Sequence, residues 1–330
     1  MAEEEPLEIV RRAMEDRSVY EEMASKESEV WSSLLPNLET SDASAVDREA
    51  SRELYVGRHQ SSLVRQTKER DLKFSNGVTL GCGAGRLERE LIDAGVCESF
   101  HGVDIAEGAI ASAKAIAQEK DLPITYEVAD LNYVELQTQA YDLAVTQTIL
   151  HHVLHLEHLA EQIWKSLKPE GYLWIHDFVG ESQGQHDQKR LDLMNQVLDI
   201  LPEKFHHNKI NGRIVNKIER AIPGKLGSPF ECIRSAEIIP VFEKWFTIEW
   251  RVEFNAFMQR VIPPGTRAAF LENEDTRALF EVILMLDNLC IQEGAVKPTG
   301  GQYLMRPKKL LSVPGGIKKS IFRNPLKYFR

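Results

Sequence analysis

The 330-residue sequence is poor in cysteine and has no long apolar run. Its four cysteines show no C-x-x-C spacing, so we expect reduced thiols in a reducing compartment. No apolar stretch approaches the roughly 20 residues that a membrane-spanning helix needs. The first residues, Met-Ala-Glu-Glu-Glu-Pro, lack the basic and apolar regions of a signal peptide. Together these absences predict a cytoplasmic location.

An excess of positive charge is also missing. The chain has 40 basic and 50 acidic residues and a net charge of −10, which argues against a broad nucleic-acid-binding surface. Hydrophobic residues make up 43% of the chain, enough at this length for a sizeable buried core. We therefore expect a globular core with added segments, and no nucleic-acid partner.

The glycine-rich run at residues 78–85, Val-Thr-Leu-Gly-Cys-Gly-Ala-Gly, predicts a strand followed by a tight turn. Its alternate glycines let the backbone approach a ligand closely, because no Cβ stands in the way. A helix is predicted over residues 86–94, ending at Gly95. The spacing is G-x-G-x-G, whereas a dinucleotide site carries G-x-G-x-x-G. A pyrophosphate ligand is therefore disfavoured.

Four further motifs follow the glycine turn in order. A second predicted strand ends at Asp104, a third at residues 124–129 is followed by Asp130, a fourth covers 141–147, and a Lys-Pro-Glu-Gly turn at 168–171 leads into a fifth. With the glycine turn, this order resembles the class I S-adenosylmethionine-dependent methyltransferases. A doubly wound fold places the acid at the end of its second strand against the ribose hydroxyls, and Asp104 stands in that position.

The resemblance implies S-adenosylmethionine as the cofactor, with Asp130 meeting the adenine amino group. The implied cofactor-binding residues are Gly81, Cys82, Gly83, Gly85, Asp104, Ile105, Asp130, Leu131, Thr146 and Gln147. Thr79 departs from the family pattern, because it stands where an aspartate or glutamate is usual. Threonine cannot supply a negative charge near the sulfonium and amino group. Either the affinity for the cofactor is reduced or the charge comes from elsewhere.

The predicted fold class is α/β, a doubly wound, seven-stranded, Rossmann-like methyltransferase sheet with a helical N-terminal extension and helical cap insertions. The N-terminal helices either fold over the cofactor as a lid or only pack against the core. The predicted segments are a helical extension at 1–75, a cofactor-binding core at 76–180, a cap insertion at 181–232, the rest of the core at 233–307 and a basic tail at 308–330.

Several local elements are also predicted from periodicity and turn residues. Residues 41–44 are expected to be a linker. Helices are expected at 187–201, 211–222, 235–245 and 276–290, and strands six and seven at 246–257 and 301–305.

Three side chains are candidates for the chemistry. His151 and His152 follow the fourth strand, where related small-molecule methyltransferases carry the same Leu-His-His run, and a hydroxyl acceptor needs a general base. Asp177, at the end of the fifth strand, is the alternative base or an acceptor-binding residue. A structural role is the competing interpretation for each: one imidazole stacks near the cofactor, the other caps or packs, and the acid is buried and hydrogen-bonded.

A metal site was weighed against a plain histidine face. His151, His155 and His158 are spaced four and three apart, which would place three imidazoles on one side of a helix. No H-E-x-x-H arrangement accompanies them. We therefore expect a solvated histidine face, and the sequence predicts no metal site.

Residues 308–330 contain seven basic residues and no acid, interleaved with apolar side chains. This composition suits an anionic membrane surface or a lipid-linked acceptor, and it suits a solvated tail equally well. A narrower resemblance, through residues 150–152, 177–180 and 228–235, is to bacterial methyltransferases encoded among surface-polysaccharide and natural-product genes.

The expected function is methyl transfer to a small molecule or glycan, at oxygen in preference to nitrogen or carbon. The alternatives are an N- or C-methyltransferase of a natural product, and a non-catalytic cofactor-binding partner subunit. A homodimer is left open.

Overall fold

The computed structural model describes residues 6–55, 63–223 and 225–309. Its seven strands are β1 (Phe74–Leu80), β2 (Cys97–Asp104), β3 (Ile124–Val128), β4 (Tyr141–Gln147), β5 (Leu167–Phe178), β6 (Phe246–Phe254) and β7 (Gly300–Pro307). They form one sheet in the order β3-β2-β1-β4-β5-β7-β6. Strands β1 to β5 pair in parallel, and β7 runs antiparallel to β5 and β6. The predicted doubly wound, seven-stranded sheet is confirmed.

The helices described are α1 (Pro6–Glu15), α2 (Arg17–Thr40), α3 (Asp42–Leu54), α4 (Leu63–Glu69), α5 (Arg86–Asp93), α6 (Glu107–Glu119), α7 (Leu156–Ser166), α8 (Gln188–Ile200), α9 (Ile238–Phe242), α10 (Met258–Val261) and α11 (Glu274–Gln292). Within the described ranges, none of them has the length and apolarity needed to cross a bilayer.

Apolar side chains cover both faces of the central strands. Along β4, Leu143 and Val145 pack into a cluster with α5 and α6, while Ala144 points to the opposite cluster, which contains α7 and α9. All three are fully buried. A parallel strand covered by helices on both sides has no polar face, so its sequence reads as an apolar run. This explains why residues 141–147 could be assigned to a strand from the sequence, with the same bounds.

The N-terminal helices pack onto the sheet domain through α2 and α6. Ser28 Oγ donates to the Ile105 carbonyl at 2.9 Å, and the Gly108 N–H donates to Ser32 Oγ at 3.2 Å. A Cβ on Gly108 would lie 2.9 Å from the Ser32 carbonyl oxygen. This close approach fixes α2 across the end of β2, where a ligand of an open α/β sheet binds.

The predicted linker at 41–44 is wrong, because helix α3 begins there. Ser41 is its N-cap residue, and its side chain accepts a hydrogen bond from the Ser44 N–H at 3.4 Å. Serine and aspartate favour both loops and helix starts. The composition alone therefore did not separate a linker from a cap.

The insertion after β5 and the segment between β6 and β7 share one apolar cluster, built from α8, α10 and α11. The helix predicted at 211–222 is absent and the chain there is irregular. Asn208 Oδ1 accepts the N–H groups of Ile210 at 2.9 Å and Asn211 at 3.2 Å. These local bonds compete with a helical backbone.

The helix predicted at 235–245 is divided into a 3₁₀ turn, Ser235–Glu237, and the short helix α9. The other predicted elements after β5 agree with the structure to within a few residues at each end. They are α8, β6, α11 and β7.

Candidate cofactor and active site

The glycine turn after β1 has the backbone geometry that its sequence predicts. Gly81 has a φ of +74° and Gly85 a φ of +76°. A Cβ on Gly81 would lie 2.2 Å from Ile149 Cγ1, and one on Gly85 would lie 2.2 Å from the Tyr126 hydroxyl. Both the dihedral angle and the space therefore require glycine. The Gly81 N–H donates to the Val103 carbonyl at 2.8 Å, which ties the turn to β2.

Asp104 closes the second side of this turn. Its Oδ2 accepts the Gly83 N–H at 2.8 Å and its Oδ1 accepts the Ala106 N–H at 2.9 Å. Burial raises the pKa of Asp104, although these N–H groups counteract the rise. Each carboxylate oxygen has a further lone pair. The side chain can therefore hold the turn and accept a ligand hydroxyl at the same time.

Asp130 lies beyond the end of β3 and is held by helix α2. The Tyr20 hydroxyl donates to Asp130 Oδ2, and Asn132 donates to Oδ1 through its backbone N–H at 2.9 Å and its amide at 3.0 Å. Tyr20 is only 2% exposed. The N-terminal extension thus contributes a buried hydrogen bond to a predicted cofactor residue.

These groups surround a cavity of about 420 Å³, within the usual range for a small-molecule site. We call it the first cavity. Its lining includes the predicted residues Gly81, Cys82, Gly83, Asp104, Ile105, Asp130, Leu131 and Gln147. Helix α2 closes it with Glu27, Trp31 and Leu35.

Two predicted cofactor residues have other positions. Thr146 is fully buried and donates to the Trp174 carbonyl at 3.4 Å. Gly85 is the N-cap of α5, below the turn. Neither belongs to the lining of the first cavity formed by the described residues. Thr146 and Gly85 shape the site from behind rather than border it.

Thr79 is buried in β1, and its hydroxyl has no hydrogen-bond partner in the described part of the chain. The carboxylates on the wall of the first cavity are instead Glu27, Asp104, Asp130 and Glu231. Glu27 and Glu231 were not predicted from the sequence. They come from α2 and from the insertion, far from the motifs in sequence, so no spacing rule connects them to the site.

Asp177 positions His151. Its Oδ2 accepts the N–H groups of Ile149 at 2.9 Å and Leu150 at 2.8 Å, and its Oδ1 accepts the Phe178 N–H at 2.8 Å. His151 Nδ1 lies 2.5 Å from the same Oδ1. A carboxylate only accepts hydrogen bonds, so Nδ1 carries the hydrogen and Nε2 faces the cavity.

The pKa values of this pair shift in opposite directions. Burial lowers the pKa of His151, but the adjacent Asp177 carboxylate outweighs burial and raises it. Burial favours a higher pKa for Asp177, yet the contact with His151 leaves it lowered. Because the Asp177 side chain is completely buried, its contacts favour orienting His151 over touching an acceptor.

His152 has a matching arrangement with Glu27. Its Nδ1 lies 2.9 Å from Glu27 Oε1, and Glu27 Oε2 accepts the Phe230 N–H at 3.0 Å. The two imidazole rings are adjacent, with centroids 4.2 Å apart. Glu231 lies opposite both rings, with one carboxylate oxygen 3.6 Å from each Nε2 atom. We call His151, His152 and Glu231 the histidine–glutamate cluster.

A second cavity of about 470 Å³ adjoins the first. The two share Thr148, His151, Glu231 and Gln259 as lining residues. The second cavity is also lined by residues of the insertion and of β5 to β7, including His176, His186, Arg260, Arg267 and Gln302. The histidine–glutamate cluster therefore stands at the junction of two spaces.

The predicted histidine face on one helix is not formed. His151 lies in a 3₁₀ turn, Leu150–His152, and α7 begins only at Leu156. His155 Nε2 lies 3.2 Å from the Tyr133 hydroxyl, and His158 Nε2 lies 2.8 Å from the Val134 carbonyl. Helical spacing was the wrong assumption, because the turn after β4 interrupts the helix.

Residues 78–175 match the family model described as a methyltransferase domain. This part of the chain is a class I S-adenosylmethionine-dependent methyltransferase domain, which confirms the family and the cofactor inferred from the motifs. The glycine turn, the two strand-end acids and the cavity between them fit that cofactor.

Curated relatives match only this central part. Ubiquinone biosynthesis O-methyltransferase of Coxiella burnetii is 29% identical over 104 residues, 32% of this chain and 44% of that protein. Phosphoethanolamine N-methyltransferase 2 of Caenorhabditis elegans is 28% identical over 114 residues, 34% of this chain and 25% of that protein. Arginine-hydroxylase NDUFAF5 of Mus musculus is 34% identical over 111 residues, 34% of this chain and 29% of that protein.

The chain thus spans less than half the length of these relatives. Their names describe O-methylation, N-methylation and hydroxylation, so the likeness identifies the domain and leaves the acceptor open. Among solved structures, an S-adenosylmethionine-dependent methyltransferase from Mesorhizobium loti aligns with a TM-score of 0.41 at 19% identity, over 76% of this chain and 98% of that one.

Proposed function

We propose that this chain transfers the methyl group of S-adenosylmethionine to a hydroxyl group of a small polar molecule or glycan. The junction of the two cavities at His151 and Glu231 carries the proposal. The first cavity is formed by the cofactor motifs, and the second is formed largely by the insertion and the last three strands. A cofactor in one cavity and an acceptor in the other would meet at the histidine–glutamate cluster.

Positioning accounts for a large part of the rate in a reaction of this type. S-adenosylmethionine supplies a methyl group on a positively charged sulfur, which an acceptor oxygen attacks in line. The walls of the two cavities hold the reactants in this geometry, and α2 covers the cofactor side through Trp31 and Leu35. We propose that α2 acts as a lid.

The acceptor hydroxyl must lose a proton as its oxygen bonds to the methyl carbon. His151 can accept that proton at Nε2, because Asp177 holds the hydrogen-bearing Nδ1 on the far side of the ring. Asp177 is a positioning residue in this scheme, and His152 lies in contact with His151. The products are the methylated oxygen and S-adenosylhomocysteine.

The lining of the second cavity favours a hydroxyl-rich acceptor. Gln302 is 5% exposed, and its Oε1 has no hydrogen-bond partner among the described residues. An unpaired buried acceptor atom costs free energy unless a ligand or water supplies a donor. A hydroxyl donor on the substrate would satisfy it. Together with His176 and Arg260 on the same wall, Gln302 supports a polar acceptor over an apolar one.

His151→Ala tests the proposal in a methyl-transfer assay against a panel of hydroxylated acceptors. We expect kcat to fall about 10²- to 10⁴-fold, the usual contribution of a general base, while the Kd for S-adenosylmethionine measured by calorimetry changes little. The matched control is His158→Ala, which removes an imidazole outside the cluster. Full activity of His151→Ala, or methylation of amines alone, would contradict the proposal.

A further inference from the structure

We infer that the histidine–glutamate cluster is a binding site for one divalent transition-metal ion. The inferred ligands are His151 Nε2, His152 Nε2 and a carboxylate oxygen of Glu231. The sequence predicted no metal site, because two ligands are adjacent in the chain and the third comes from the insertion. The inference concerns ion binding and does not depend on which acceptor is methylated.

The distances leave room for an ion. One ligand atom from each of the three side chains lies within 4.8 Å of the others. Each Nε2 lies 3.6 Å from an oxygen of Glu231, which is too long for a hydrogen bond. Ligands bound at about 2.0–2.1 Å in a tetrahedron are roughly 3.4 Å apart. The three groups therefore already stand close to the spacing of a shared ion.

The direction of the lone pairs points the same way. Both Nδ1 atoms face carboxylates, Asp177 for His151 and Glu27 for His152. Each neutral imidazole then presents an unprotonated Nε2 toward the negative charge of Glu231. A positive ion or a proton between them removes this repulsion.

The surroundings match those of known metal sites. A histidine that binds a metal usually donates its other ring nitrogen to a carboxylate, which fixes the ring and raises its basicity. Both imidazoles of the cluster have that partner. The three carboxylates of Asp177, Glu27 and Glu231 surround two neutral rings, and a divalent cation offsets most of their charge.

The donor set indicates the class of ion. Two imidazoles and one carboxylate suit zinc, cobalt, iron or manganese better than magnesium or calcium, which prefer all-oxygen sites. Three protein ligands leave at least one position open, as in catalytic sites. All three ligands line the first cavity. An ion there would take the place of the proton at His151 Nε2 and would lower the pKa of a hydroxyl bound at the open position.

Titration of the metal-stripped full chain with Co²⁺ tests the inference. We expect one ion per chain, with visible d–d absorption of a nitrogen and oxygen site and no thiolate charge-transfer band. His152→Ala and Glu231→Gln should each weaken Co²⁺ binding at least about tenfold, and Glu27→Gln should weaken it about 10- to 100-fold by releasing the His152 ring. The controls are His158→Gln and Glu219→Gln, whose side chains lie outside the cluster and should leave binding unchanged.

Thermal unfolding and S-adenosylmethionine affinity establish that each variant is folded. If one ligand variant fails to fold, the other and Glu27→Gln still test the site. Binding that none of these variants weakens, or a thiolate charge-transfer band, would overturn the inference. A chain that binds no Co²⁺ yet still transfers a methyl group would overturn it too, and would leave the proposed function intact.

Discussion

The carboxyl group of Glu88 makes a prediction about stability that can be worked out in detail. Glu88 lies in the first turn of α5, directly after the glycine turn, and is completely buried. Neither of its carboxyl oxygens has a hydrogen-bond partner in the described part of the chain. Burial raises its pKa from 4.5 to about 7, because the charged form is poorly solvated there.

The sign of the pH dependence follows from this shift. In the unfolded chain Glu88 loses its proton near pH 4.5, while in the folded protein it keeps the proton to about pH 7. The folded state therefore binds more protons between these values, and stability falls as the pH rises through this window. A shift of about 2.5 units corresponds to about 3 kcal/mol, at about 1.36 kcal/mol per unit.

Glu88→Gln places a neutral group of similar shape at this position. We predict that the variant, compared with the natural chain, gains about 1–3 kcal/mol more stability at pH 8 than it does at pH 5. Urea unfolding at both pH values measures the difference. The control is Glu90→Gln on the exposed side of the same helix, where Glu90 pairs with Arg86. A gain that is the same at both pH values would refute the reasoning about Glu88.

Three further predictions concern the cofactor, the lid and the tail. Asp104→Ala should weaken S-adenosylmethionine binding by on the order of 1.5–3 kcal/mol, since the ribose hydroxyls lose a charged acceptor; Asp199→Ala, on the exposed side of α8, is the control, and equal calorimetric affinities would refute this placement of the ribose. Tyr20→Phe removes the hydrogen bond to Asp130 and should raise the Kd for the cofactor several-fold and speed amide exchange in α2; unchanged exchange would argue against α2 as a lid. The predicted basic tail lies, beyond Lys309, outside the described residues; deleting 310–330 removes five cations, each worth about 1 kcal/mol near an anionic leaflet, so binding to anionic vesicles at low salt should drop, and a full-length chain that ignores such vesicles would contradict a membrane role.

Much of the sheet could be predicted because its determinants are local. The apolar run of β4 and the glycine turn each fix a piece of backbone through the residues in that piece. Asp104 could be placed for the same reason, since the end of β2 meets the turn in any doubly wound sheet. The helix expected at 211–222 failed because Asn208 supplies side-chain hydrogen bonds that periodicity does not register.

The cluster at the junction was harder to foresee. His151 and His152 were identified from the run after β4, but their partners Glu27 and Glu231 come from α2 and from the insertion. Only the folded chain brings these segments together, and one sequence contains no signal of that pairing. Asp177 was identified from its place at the end of β5. Its role in orienting His151 depends on the turn at Leu150, which the helical spacing had concealed.

A crystal structure of the full chain with S-adenosylhomocysteine tests the central claim most directly. We predict that the ribose lies at Asp104, that the adenine lies near Asp130, and that the sulfur points to the junction of the two cavities beside His151 and Glu231. A sulfur directed away from the second cavity, or a nucleoside bound elsewhere on the sheet, would contradict the proposed site of methyl transfer.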